Sequence, residues 1–103
     1  MAKVPNIDIE WIGGNCPVQA IGEVEGLDFY FRARGACWSI EIGKLPWLKK
    51  LFTEDTTVYD NQDTIYFDYV ERYGEWPDAG WIDETEALFL IRRGCQLFYD
   101  TKG

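Results

Sequence analysis

The sequence predicts a single α+β domain over residues 1–103. The expected architecture is an antiparallel β-sheet of about five strands with a C-terminal α-helix packed on one face. Three observations predict it. Apolar and polar residues alternate with a period of two from Leu27 to Ile42. Glycines interrupt that stretch where tight turns would fall. After Asp83 the apolar period changes to three and four. With 103 residues, 47% of them hydrophobic and 17% aromatic, the chain can bury a core without disulfides.

Ile7 to Ile12 reads as a first strand, broken by Gly13-Gly14-Asn15. Val18 to Ile42 reads as a three-stranded meander. Leu27, Phe29, Phe31 and Ala33 face one way, and Asp28, Tyr30, Arg32 and Arg34 the other. Ala36, Trp38, Ile40 and Ile42 continue the inner set, with Cys37, Ser39 and Glu41 outward. Glu25-Gly26 and Arg34-Gly35 are the expected turns, because glycine supplies positive φ. Two-residue loops there set Phe31 opposite Trp38 and Phe29 opposite Ile40. They also set Asp28 against Glu23 and Glu41, an unfavourable like-charge arrangement. Either the loops are longer or the outer face carries an acidic cluster.

Leu45 to Phe52, with Pro46 early, suits a helical turn or short helix. Thr56–Tyr59 and Thr64–Val70 read as strands joined by an Asp60–Asp63 hairpin loop. In the second of these, Ile65, Phe67 and Tyr69 are expected inward and Tyr66 and Asp68 outward. Tyr73–Trp81 contains Gly74, Pro77 and Gly80 and is expected to be irregular. Asp83 opens the last helix with Glu86 three positions on, a capping arrangement. That helix is expected to run to about Phe98 and to present Leu88, Ile91, Cys95 and Phe98 to the sheet. Gly94 weakens it by about 1 kcal/mol relative to alanine, unless close packing requires it.

The composition excludes several functions. Histidine is absent, which removes a His general base, the usual Ser-His and Cys-His nucleophile pairs and most zinc sites. Cys16, Cys37 and Cys95 are odd in number and widely spaced, as reduced thiols of a cytoplasmic protein would be. Cys16 has no histidine to activate it and is read as inert. Asp60/Asp63 and Asp83/Glu86 lack the other features of glycosidase or calcium sites. No catalytic residue, metal ligand or cofactor is expected, and the chain is not read as an enzyme. No apolar run suggests a secretory leader or membrane span. A formal charge of −8 and a pI near 4.4 argue against direct nucleic-acid binding.

The charge is concentrated. Glu54 to Glu86 holds 11 acids against one base, Arg72, while residues 1–53 balance six against six. The same segment holds Tyr59, Tyr66, Phe67, Tyr69, Tyr73, Trp76 and Trp81. A disordered acidic tract lacks such rings, so this segment is expected to be a folded anionic surface. Asp60, Asp63, Tyr66, Asp68, Glu71, Glu75, Trp76 and Asp78 are the expected partner-binding residues. Their carboxylates would pair with Lys and Arg channels built for nucleic acid, and the rings would supply contact area. The plainer alternative is that the acids solvate a sheet whose core the rings form. Tyr30, Arg32 and Arg34 make a second patch, read as pairing with neighbouring acids rather than binding an anion.

The run from Trp11 through Ala20 (WIGGNCPVQA), followed by Gly22, Gly26 and Phe29–Gly35 (FYFRARG), resembles short proteins of bacteriophages and prophages. Gly74–Trp81 (GEWPDAGW) is similar to them too. The segments cover under half of the chain. The resemblance implies a phage context in the host cytoplasm, where small acidic proteins often inhibit host machinery, anti-CRISPR proteins among them. It carries over no functional residues. The leading expectation is therefore an acidic module that inhibits a host nucleic-acid-handling complex. Its partner would be a basic protein or nucleoprotein complex. The alternative is a structural or accessory protein that self-associates, as a homodimer, through strand edges and surface tryptophans.

Overall fold

The computed structural model describes residues 4–14, 17–45, 64–75 and 78–102. The expected helical segment beyond Leu45, the strand Thr56–Tyr59, the Asp60–Asp63 loop, Cys16 and Trp76 lie outside the described residues. So does the side chain of Asp78.

Five strands follow one another as an antiparallel meander: β1 (Ile7–Gly13), β2 (Val18–Val24), β3 (Leu27–Arg34), β4 (Cys37–Lys44) and β5 (Thr64–Arg72). A 3-10 turn (Asp78–Trp81) leads to one helix, α1 (Glu84–Lys102). This is the α+β architecture that the alternation and the final amphipathic stretch predict.

Both hairpins in the β2–β4 unit have two-residue loops. In the first, Glu25 and Gly26 take φ of 50° and 79°, and Val24 pairs with Leu27. The second loop is Gly35-Ala36, one residue later than expected, and Arg34 pairs with Cys37. Gly35, at φ 65°, occupies the first central position of the turn rather than the second. Moving the loop by one residue moves the register by two. Phe31 therefore opposes Ile40, Ala33 opposes Trp38 and Phe29 opposes Ile42. A shift of two leaves every paired side chain on its expected face, so the inner and outer sets survive except for Ala36, expected inward, which lies in the turn itself.

The inner face carries the core. Val18, Ala20, Val24, Phe29, Phe31, Ala33, Trp38, Ile40 and Ile42 are buried against Ala87, Leu90, Ile91, Cys95 and Phe98 of α1. Phe67 of β5 stacks obliquely on Phe98, with ring centres 5.6 Å apart. Leu88 is half-buried, so the buried stripe runs through Ala87, Leu90 and Ile91. The helix also continues four residues past the expected end at Phe98. Gly94 belongs to the buried stripe. A Cβ there would stand 2.8 Å from Ile40 Cγ2, so the glycine is required by close packing on the sheet.

Asp83 caps α1: the Glu86 N–H donates to Asp83 Oδ1 at 2.8 Å. The connector after β5 is fastened to the β3–β4 turn. The Tyr73 N–H donates to the Ala36 carbonyl (2.6 Å) and the Ala79 N–H to the Gly35 carbonyl (2.9 Å). Ala79 and Ile82 are thereby held in the core. Among the described residues, no helix is long and apolar enough to cross a membrane.

Candidate functional site

The helix packs against the inner face of the sheet, and the alternate residues of each strand form the opposite, outer face. Strand pairing arranges that outer face in rows. At one end Arg34, Cys37 and Arg72 are neighbours across β3, β4 and β5. The next row runs Gly13, Gln19, Arg32, Ser39, Val70, and the next Trp11, Ile21, Tyr30, Glu41, Asp68. At the far end Asp8, Glu23 and Asp28 stand side by side on β1, β2 and β3. Glu10, displaced by a bulge in β1, joins Asp8 and Glu23 around a shallow cleft. The face is thus polarised, with three arginines at one end and acids from every strand toward the other.

Both like-charge alternatives raised by the sequence now resolve. The loops are short, so Glu23 and Asp28 do oppose one another, and Asp8 extends the row. Asp28 is spared Glu41 by the corrected register and faces Gly43 instead. Glu41 opposes Asp68 of β5.

A small apolar cluster sits within this face. Leu45 and Ile21 are buried, with Tyr30 packed against them. The Leu45 N–H donates to Asp28 Oδ2 at 3.0 Å, tying the end of β4 to β3. The Tyr30 hydroxyl donates to Gln19 Oε1 at 2.6 Å. Burial raises the Tyr30 pKa; Arg32 opposes that shift and Glu41 adds to it. Arg32 Nε is buried without a hydrogen-bond partner. Among the described residues no ion pair joins Arg32 or Arg34 to an acid.

The expected partner-binding residues are dispersed. Tyr66 and Asp68 are exposed on the outer side of β5. Ile65, expected inward, is 48% exposed, because β5 is bulged between Ile65 and Phe67 opposite Ile42 and Gly43. Glu75 is exposed, 3.7 Å from Arg72. Asp78 lies in the 3-10 turn. Asp60, Asp63 and Trp76 lie outside the described residues.

Glu71 is on the inner side of β5, opposite Trp38. Arg93 of α1 grips it through Nε to Oε1 (3.0 Å) and Nη2 to Oε2 (2.8 Å), and the Tyr69 hydroxyl donates to Oε2 at 2.6 Å. Glu71 therefore joins sheet to helix. The Arg93 bonds, then the Tyr69 bond, hold its carboxyl below the ordinary value of 4.5. A carboxyl depressed on folding contributes stability above its unfolded pKa and loses it as pH falls through the folded one. Glu71→Gln is accordingly expected to be less stable than wild type at pH 7. Urea unfolding should find the difference gone at acid pH, below the folded pKa.

The acids of this row that sequence reasoning did not single out are Asp8 and Glu10; Glu23 appeared there only as an unfavourable neighbour of Asp28. The Glu23–Asp28 opposition was legible from the Glu25-Gly26 turn. Asp8 was not, because its neighbour is set by the β1–β2 register and a bulge that no turn signature fixes. Among the described residues, no group of three or more His, Cys, Asp or Glu side chains is placed to hold a metal ion. Compared with protein-family models, curated proteins and solved structures, the chain matches none.

Proposed function

We propose that the protein is a non-enzymatic binding module whose outer sheet face engages a basic protein or nucleoprotein complex and competes there with nucleic acid. In a phage setting this would make it an inhibitor of a host nucleic-acid-handling system, of the anti-CRISPR kind. The observation that carries the reading is the row Asp8, Glu23, Asp28 with Glu10 beside it. Like charges held directly across strands cost stability. A partner bearing lysines and arginines relieves that repulsion, so part of the binding energy is stored in the unbound face. The net charge of −8 steers such a partner toward the protein over distances of about a Debye length, ~8 Å at physiological salt. Trp11, on the same strand as Asp8, and Tyr66, next to Asp68, are partly exposed rings that suit interface anchors.

The test is capture from a bacterial lysate on the immobilised protein, eluted with a salt gradient. Recovered complexes are then assayed for displacement of bound oligonucleotide. Wild type should retain a basic nucleic-acid-handling complex, release it at moderate salt and displace its oligonucleotide. The triple variant Asp8→Lys, Glu10→Lys, Glu23→Lys should retain at least tenfold less while remaining folded by circular dichroism. Reversing Glu84, Glu86 and Asp100 instead, acids of α1 away from the row, should leave capture intact. Equal loss in both triple variants would reduce the effect to net charge and sink the proposed face.

A further inference from the structure

We propose that the outer edge of β5, which no strand among the described residues takes up, is a docking strand for a second copy of this chain, paired antiparallel about a two-fold axis at Val70. In that register Asp68 of each copy stands opposite Arg72 of the other.

The direction of the edge hydrogen bonds follows from the hairpin. The β-turn places a Cys37 N–H to Arg34 C=O bond across the Gly35-Ala36 loop, making Arg34 and Cys37 a hydrogen-bonded pair. Such pairs alternate along an antiparallel ladder. Trp38, Ile40 and Ile42 therefore turn their backbone groups toward β5, where they meet Glu71, Tyr69 and Phe67. Asp68, Val70 and Arg72 turn theirs the other way. Among the described residues no strand takes up that edge.

The two edges of the sheet differ. β1 is seven residues long, bulged at its centre, and carries Asp8 and Glu10 there. Bulges and charge are the usual defences of an edge. β5 has nine residues, and its bulge lies upstream of Phe67, leaving Phe67–Arg72 in unbroken register. No proline or lysine interrupts that stretch. Val70, at its middle, is 67% exposed.

Charge complementarity selects the partner and the register. Reading along the outer side of β5, the residues are Asp68, Val70, Arg72. That order is self-complementary only when the axis passes through Val70, which forms two Asp68–Arg72 pairs and places valine against valine. Centring on Asp68 or Arg72 would oppose like charges. On the inner side the Val70 axis brings Tyr69 of one copy opposite Glu71 of the other, extending the hydroxyl–carboxylate contact already present within each. Arg72 can re-pair at small cost: its Nε donates to the Gly74 carbonyl at 3.3 Å and its contact with Glu75 is 3.7 Å long, both on exposed side chains. The same axis sets the arginine end of one outer face beside the acidic end of the other. Such a dimer is isologous, with one continuous sheet.

Sedimentation equilibrium over a micromolar-to-millimolar range tests this directly. Wild type should show a monomer–dimer equilibrium that high salt weakens, by screening the exposed Asp68–Arg72 pairs, without abolishing the backbone pairing. Asp68→Arg and Arg72→Asp should each weaken association at least tenfold, and the two together in one chain should restore it. Val70→Pro should be monomeric with unchanged circular dichroism, because the lost N–H faces the edge rather than β4. A wild type that is monomeric throughout, single reversals that associate as wild type does, or a double swap that fails to restore the dimer would each overturn the proposal. None of these substitutions touches the Asp8–Glu23 row, so this test and that of the binding face fail independently.

Discussion

Replacing Trp38 by alanine is expected to destabilise the domain by about 3–5 kcal/mol, the range for truncating a buried aromatic. Domains have about 5–15 kcal/mol of stability in total, so the variant would sit near its unfolding midpoint. Trp38 is the largest of the fully buried side chains and stands at the middle of the inner face, where three elements meet it. The Phe31 ring centre is 5.9 Å away within the sheet and the Tyr69 ring 5.6 Å away on β5. From above, α1 reaches it at Gly94, where even a Cβ would lie 3.3 Å from Trp38 Cζ3. A cavity here is walled by paired strands and a helix, neither of which collapses easily, so the full cavity term applies. Trp38→Phe should cost much less. Most of the buried ring area remains, and what is lost besides is the indole N–H, the smallest of the contacts that lower the Glu71 carboxyl. Urea unfolding followed by circular dichroism, which does not depend on the tryptophan signal, separates the two variants. Equal losses would mean that ring volume is not what holds this site.

The difference between what the sequence made legible and what it did not lies in the range of the interactions. The faces of β3 and β4 follow from local alternation, and the start of α1 follows from Asp83 and Glu86. These depend on residues a few positions apart. The register of β3 on β4 depended on which central position Gly35 takes in its turn, and glycine fits either. The face remained correct because the error was an even number of residues. Tertiary packing decided the stripe on α1: Ala87 and Gly94 count as weak core residues by composition, yet both are buried, and at Gly94 the helix comes too close to Ile40 for a Cβ. Glu71 could not be told from its neighbours by type. Only the position of Arg93, 22 residues on, makes it a link between layers. The acidic surface shows the same limit. Counting charge along the chain points to Glu54–Glu86, but pairing brings acids from β1, β2 and β3 into one row. Two acids of that segment are committed within the fold, Asp83 to the helix cap and Glu71 to Arg93.

Alanine at Gly22 is the other substitution with a large expected effect, about 3 kcal/mol, at the upper end of overpacking costs. Gly22 lies on the inner face of β2 between Ile9 of β1 and Phe29 of β3. The β1 bulge next to it brings the partner backbone unusually close. A Cβ at this position would collide with the Asp8 carbonyl oxygen, and would stand 2.8 Å from Phe29 Cε2 and 3.0 Å from Ile9 Cα. Backbone cannot swing aside as a side-chain tip can, and the Phe29 ring is fully buried. The strain is relieved by β1 parting from β2, so hydrogen exchange should accelerate first at the amides of Ile7–Gly13. Gly26 provides the comparison. Its Cβ would meet nothing within 4 Å, but its φ of 79° makes any side chain strained, at about 1–2 kcal/mol. If both alanine variants lose the same amount and exchange protection is not lost preferentially in β1, the close approach is not the cause. The substitution also separates fold from function at the proposed face. Asp8→Lys alters the charge of the row while leaving β1 in place. Gly22→Ala leaves every carboxylate intact but undoes the strand pairing that aligns Asp8 with Glu23. Loss of partner capture in both, with loss of stability only in the second, is the pattern expected if the aligned row, rather than the acids as such, is what a basic partner recognises.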